Sequence, residues 1–187
     1  MARASTTLAL RRFVADCRAV SAVEFALILP VLIVMVFGTF DLTRAIDVKS
    51  RTSRLSRTIT DFVSQNKTVT KADLANIITA SKAVMSPYSD SGSVLTVEIY
   101  SINKQWNNTY KIDWSYTLGT TAVANSTDRS LPGYTPPDVS TIATRVVYVH
   151  TLKFASLLRG FGFGRLTMST QTAMSPRWGA AITASGF

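Results

Sequence analysis

A single cysteine, Cys17, and a single histidine, His150, are all that the chain contains of those two residue types. One cysteine excludes an intrachain disulfide and any CxxC metal site. It also precedes the main apolar block, whereas a lipoprotein cysteine follows one. One histidine excludes the multi-histidine zinc constellations. Its setting, Val146-Val-Tyr-Val-His150-Thr, is that of a partly buried or edge strand residue rather than a catalytic base. Acids are scarce too, with 11 Asp and Glu against 20 Lys and Arg. No paired-carboxylate site, P-loop or nucleophile elbow stands out, and Gly160-Phe-Gly-Phe-Gly164 reads as a tight turn rather than a dinucleotide fingerprint. The expectation is a protein that is not an enzyme and that takes no cofactor and no metal.

The net charge of +9 raises nucleic acid, anionic lipid or an acidic protein surface as partners. The cations form no aromatic-interleaved patch, which argues against nucleic acid. Arg3, Arg11, Arg12 and Arg18 precede the apolar block, while Arg44, Lys49, Arg51, Arg54 and Arg57 follow it. Cations that bracket an apolar segment point to a lipid bilayer. From Phe25 to Phe40 there is no charge, and extension back to Ala19 adds only Glu24. The block of about 22 residues is long enough for a hydrocarbon core of about 30 Å at 1.5 Å per residue. No small-residue cleavage exit follows Phe40, so the block reads as a transmembrane helix over 20–40 rather than a cleaved secretory signal. Flanking charge is balanced and does not set the orientation. A short N-terminal segment and a long exported domain favour a cytoplasmic N-terminus and a periplasmic C-terminal domain, in a single-pass protein of a bacterial inner membrane.

Glu24 is the residue that this placement leaves unexplained, because a carboxylate near hydrocarbon costs a few kcal/mol unless it is paired. Hydration at headgroup depth, with Arg18 as partner, is one account. The string Arg18-Ala-Val-Ser-Ala-Val-Glu24-Phe-Ala-Leu-Ile-Leu-Pro30 supplies another, since it resembles the processing and membrane segment of TadE-like pseudopilins of the Tad (Flp) type IV pilus assembly system. The resemblance implies that a prepilin peptidase removes a basic leader, 1–19, and leaves the helix attached. It places the cut between Ala19 and Val20, with Glu24 fifth in the mature chain and the aromatic Phe25 after it. Alanine at 19 departs from the glycine usual before the cut. On that reading Glu24 sets subunit register by pairing with an N-terminal amine, which at Val20 lies on the same helix face. Other pilin or pseudopilin subunits and an inner-membrane assembly platform are the further partners implied, with possible incorporation into a surface pilus.

Past the membrane the pattern stays helical over 41–65, with Leu42, Ala45, Ile46, Leu55, Ile59, Phe62 and Val63 as its apolar stripe and arginines and hydroxyl residues on the rest. Pro30 and Gly38 are points where the long helix can kink. The Arg51–Arg57 cluster also suits anionic lipid. Thr70 is placed to cap a second helix, Lys71 to about Met85, with Asp73 at its positive end and Pro87 beyond. The period then changes to two. Strands are expected over Val94–Ile102, Tyr110–Leu118, Thr141–Phe154 and Leu166–Met174, the first two as an antiparallel hairpin, with a long loop over 119–140. The expected fold is α+β and pilin-like, a long N-terminal helix packed on about four antiparallel strands, with 66–187 as the extracytoplasmic domain. The closing Ser175-Pro-Arg-Trp178 offers simple packing or a cation–π contact. Minor pilin or pseudopilin is the leading reading. The alternative is an uncleaved single-pass protein with a sensing or ligand-binding domain whose binding surface is the 119–140 loop.

Overall fold

The computed structural model describes residues 17–88, 94–104, 110–119, 140–154, 164–179 and 181–186. The chain divides into two compact units between Thr43 and Arg44. Helix α1, Cys17–Ser64, is continuous through Pro30. After it come β1 (Thr68–Thr70), α2 (Lys71–Ser81), a 3-10 turn (Lys82–Met85), β2 (Leu95–Lys104), β3 (Tyr110–Leu118), β4 (Ser140–Thr151), β5 (Arg165–Met174) and β6 (Thr183–Ser185). The class is α+β, with a long N-terminal apolar helix packed on an antiparallel four-stranded sheet of order β3-β2-β4-β5. The two shortest strands, β1 and β6, pair parallel with each other. They were not expected from the sequence, because three residues carry too little alternation to register as a strand.

Strand β3 has both of its expected bounds and β5 its expected end, while the other strand boundaries differ by one to three residues, most at the end of β4, where Leu152 donates its N–H to Gly164 O at 3.0 Å and leaves the ladder. The 119–140 loop lies outside the described residues except at its ends, and so does the 160–164 turn except for Gly164. Gly119 at the end of β3 has φ +122, and a Cβ there would lie 2.8 Å from Leu95 O and 2.9 Å from Thr96 Cα. Both the conformation and the space demand glycine where the β3 end passes the start of β2. Helix α2 starts as Thr70 foretold. Its side chain accepts the Asp73 N–H at 3.1 Å while the Asp73 carboxylate accepts the Thr70 N–H at 2.9 Å, a capping box. The helix gives way to the 3-10 turn at Lys82, ahead of Pro87.

Within the second unit the core lies between one sheet face and the helices. Val48, Leu55, Ile59 and Val63 of α1 and Leu74 and Ile78 of α2 meet Leu95, Val97, Ile99, Ile142, Val146 and Tyr148. A smaller cluster on the opposite sheet face holds Tyr100, Ile102 and Ala143. The buried stripe of α1 differs from the expected one. Ala45, Leu55, Ile59 and Val63 are buried, but Ile46 is 63 % and Phe62 46 % exposed, and Leu42 is exposed as well. Val48 and the hydroxyl series Thr52, Ser56, Thr60 and Ser64 are buried instead. Each hydroxyl answers to its own helix or to the sheet. Thr52 donates to Val48 O at 2.8 Å, Thr60 to Ser56 O at 2.7 Å and Ser64 to Asp61 O at 2.8 Å. Ser56 donates to Thr144 O on β4 at 2.9 Å. A buried hydroxyl that bonds a nearby carbonyl carries no desolvation debt, and its small side chain lets helix and sheet approach closely. Ile59→Ala should therefore cost about 2–5 kcal/mol of stability, while Phe62→Ala should cost well under about 1 kcal/mol, read from thermal unfolding of the full chain in detergent.

Candidate functional site

In the first unit the candidate element is the part of α1 up to Thr43. From Val20 to Phe40 every residue is exposed, Glu24 and Phe25 included. Among the described residues this is the one helix long and apolar enough to cross a membrane, with a mean hydropathy of 2.6 over its best window. Two hydroxyls in and just past this stretch are satisfied within the helix, since Thr39 donates to Met35 O at 2.7 Å and Thr43 to Thr39 O at 2.8 Å. Such pairing removes the cost of a bare polar group among apolar neighbours. Ala19 and Val20 lie in the first turns of the helix, and Val20 and Glu24, one helical turn apart, share a face. Pro30 and Gly38 both sit inside continuous helix, and no other atom lies within 4 Å of a Cβ built at Gly38.

In the second unit two knots hold the Arg44–Ser64 part of α1. One is centred on Arg51, whose guanidinium bonds Asp47 at 2.9 Å and the carbonyls of Val84 and Ser86, and lies 5.7 Å over the Tyr88 ring. Tyr88 donates its hydroxyl to Asp47 at 3.0 Å and meets His150 edge-on, with centroids 6.1 Å apart. His150 is buried near the end of β4, past the last β2 partner at Tyr148 and paired only with Leu166 of β5, which is the buried strand-end setting that its sequence context suggested. Tyr148 stacks on its other side at 6.4 Å. The Arg51 and Tyr88 hydrogen bonds hold the Asp47 carboxyl below its ordinary value. Burial, then the bond to Asp47, pushes the Tyr88 phenol up. Arg51 thus turns inward and leaves the solvent-facing cation cluster that its spacing implied.

The second knot gives the closing segment its role. The last turn of α1 has no basic residue of its own, and its terminal carbonyls need partners. Arg177 donates its backbone N–H to Ser64 O at 3.0 Å, and Trp178 donates Nε1 to Gln65 O at 2.8 Å. The Arg177 guanidinium pairs with Asp61 and adds positive charge at the negative end of the helix. The cation over the Trp178 ring is Lys67, at 4.4 Å, rather than Arg177. Trp114 Nε1 donates to Ile182 O at 2.9 Å, tying the same segment to β3. Nothing in the sequence marked Asp61 or Lys67 for these contacts, because the partners are more than 100 residues apart.

Asp47 with its depressed pKa contributes stability above the ordinary carboxylate value of 3.8, and that contribution disappears as pH falls through the folded-state pKa. Asp73, held below the ordinary value by Thr70, acts in the same direction. Tyr88, with a raised pKa, contributes below the ordinary phenol value of 10.0 and loses its contribution as pH rises through the folded value. Asp47→Asn should therefore lower Tm at neutral pH and flatten its acid dependence from around the ordinary carboxylate value of 3.8 downward. An acid limb as steep as that of the unaltered chain would remove Asp47 from the account.

Among the described residues no group of three or more His, Cys, Asp or Glu could hold a metal ion. Comparisons with curated proteins give no match, and comparisons with solved structures give none. A family model described as TadE-like protein matches residues 19–60, and over that segment the chain is similar to the family.

Proposed function

We propose that this chain is a minor pilin or pseudopilin that takes part in assembling a Tad (Flp) type IV pilus. The observation that carries the reading is a coincidence of positions. The TadE-like match begins at Ala19, and from Val20 the helix exposes apolar side chains on every face. A membrane-anchored chain fits both. On this reading a prepilin peptidase removes 1–19, residues 20–40 span the inner membrane, the helix continues over 41–65 outside it, and the periplasmic domain, 66–187, follows. The partners are other pilin-type subunits, the peptidase, the inner-membrane assembly platform and the lipid bilayer. The work is mechanical rather than catalytic: a subunit stored in the bilayer is drawn out and packed helix to helix. Glu24 fixes the register by accepting the amine of Val20, its own or a neighbour's, where the low dielectric strengthens the pair. Phe25 packs beside it, and Pro30 and Gly38 let the helix bend where packing requires.

Intact mass of the protein from native membranes, with and without a prepilin peptidase, tests the processing step. The expected result is loss of residues 1–19 only when the peptidase is present, and a full-length mass in both would favour an uncleaved anchor with a binding domain. Glu24→Leu should insert normally yet lower fibre number about tenfold, equivalent to about 1.4 kcal/mol in a packing equilibrium. Fibres at normal abundance in that variant would sink the role given to Glu24.

A further inference from the structure

We infer that the solvent face of α1 beyond Arg44 is a docking seam for a helix of a different subunit, one that carries acidic residues along its flanks. The inference rests on the pilus-assembly reading and adds to it the chemistry of the partner. An open groove on this face is lined by Ile46, Lys49, Ser50, Ser53, Arg54 and Arg57. Ile46, Lys49, Ser50, Arg54 and Arg57 are exposed and Ser53 is half-buried. Ile46, Ser50, Ser53 and Arg57 follow one another at intervals of four, three and four, the spacing of a helix-packing seam. At 3.6 residues per turn, Lys49 and Arg54 fall about 70° to either side of that line. The middle of the seam is two serines, small enough for a second backbone to come close. Its upper end is an apolar side chain left in water although the same helix buries hydroxyls on its other face.

Charge chooses the occupant. None of the six lining residues is acidic. The two acids of α1 in this unit hydrogen-bond to other groups, Asp47 to Arg51 and Tyr88 and Asp61 to Arg177, although Asp47 also feels the charge of Arg54 from the edge of the face. A second copy packed in parallel register would bring Lys49 and Arg54 against the same cations, which is unfavourable. A partner helix with glutamate or aspartate at the flanking positions converts that repulsion into attraction and fixes both register and choice of partner.

Anionic lipid is the competing occupant, and distance disfavours it. With the span ending at Phe40, Lys49 lies about 14 Å and Arg57 about 26 Å further along the helix at 1.5 Å per residue. The headgroup layer on each side is only about 5–8 Å thick, and the Debye length at physiological salt is about 8 Å.

The full chain in neutral phosphatidylcholine nanodiscs provides the test, with two labelled synthetic helices as probes, identical except that a leucine–alanine seam is flanked by glutamates in one and by lysines in the other. The glutamate-flanked helix should bind, and its Kd should weaken on the order of tenfold both in the Lys49→Glu/Arg54→Glu double variant and between about 50 and 300 mM salt. Equal binding of the two probes, no binding of either, or indifference to the double variant overturns the inference. A chain carrying Cys17→Ser and Ser50→Cys separates the other occupants. Ready disulfide formation between two Ser50→Cys copies would give the seam to self-association. Quenching of a fluorophore on that cysteine by headgroup-labelled phosphatidylglycerol would give it to lipid. Either outcome overturns the inference. Intact mass of the double variant keeps the two readings apart, because leader removal that persists while charge proves irrelevant sinks only the docking seam, whereas an uncleaved leader counts against the pilus reading itself.

Discussion

A helix that runs from an apolar stretch into a folded domain has to close its polar groups on itself in the first part and on a sheet in the second. In α1 the same device serves both. Thr39 and Thr43 bond carbonyls one turn back in the apolar stretch, and Thr52 and Thr60 do the same beneath the sheet. Each threonine then presents little more than a methyl group to its surroundings. The packing of the second unit depends on this arrangement. If those hydroxyls had to reach water, the face carrying Val48, Leu55, Ile59 and Val63 could not lie against Ile99, Ile142 and Val146.

The support around the helix follows from needs that α1 cannot meet within itself. Its last carbonyls are answered by the backbone of Arg177 and the indole of Trp178. Its mid-section is held by Arg51, which bridges to the 3-10 turn through Val84 and Ser86. These are modest contacts individually, and the exposed Arg177–Asp61 pair is worth about 1 kcal/mol at most. Their value is positional, because together they fix which side of the helix is covered and which is left to solvent.

Periodicity made much of this fold legible from the sequence. The four long strands, the antiparallel hairpin, the capping box at Thr70 and the long helix all carry strong local patterns, and the TadE-like resemblance over its first part rested on the run from Arg18 to Pro30. The rotation of the helix past the membrane was not legible. Leu42, Ile46 and Phe62 look like core residues by hydropathy and are exposed, while Ser56 and Thr60 look like surface residues and are buried. Hydropathy assigns a hydroxyl by its preference for water and cannot register that a carbonyl one turn away satisfies it. The closing segment was opaque for a different reason. Arg177 and Asp61 are 116 positions apart, and no local pattern links them. Arg51 lay between these cases, since its partner Asp47 is one turn away but the carbonyls that draw it inward belong to another element.

The cap on the end of α1 also sets an order of events during synthesis. Gln65 and Trp178, joined by a hydrogen bond, are separated by 113 positions. At about 5–20 residues per second, the ribosome delivers the second partner about 6–23 s after the first. The helix is thus made early and finished late: Asn66 and Ser64 answer the carbonyls of Val63, Phe62 and Asp61 at once, but those of Ser64 and Gln65 wait for the closing segment. The arrival of Ser175-Pro-Arg-Trp178 therefore closes the helix and the domain in the same step.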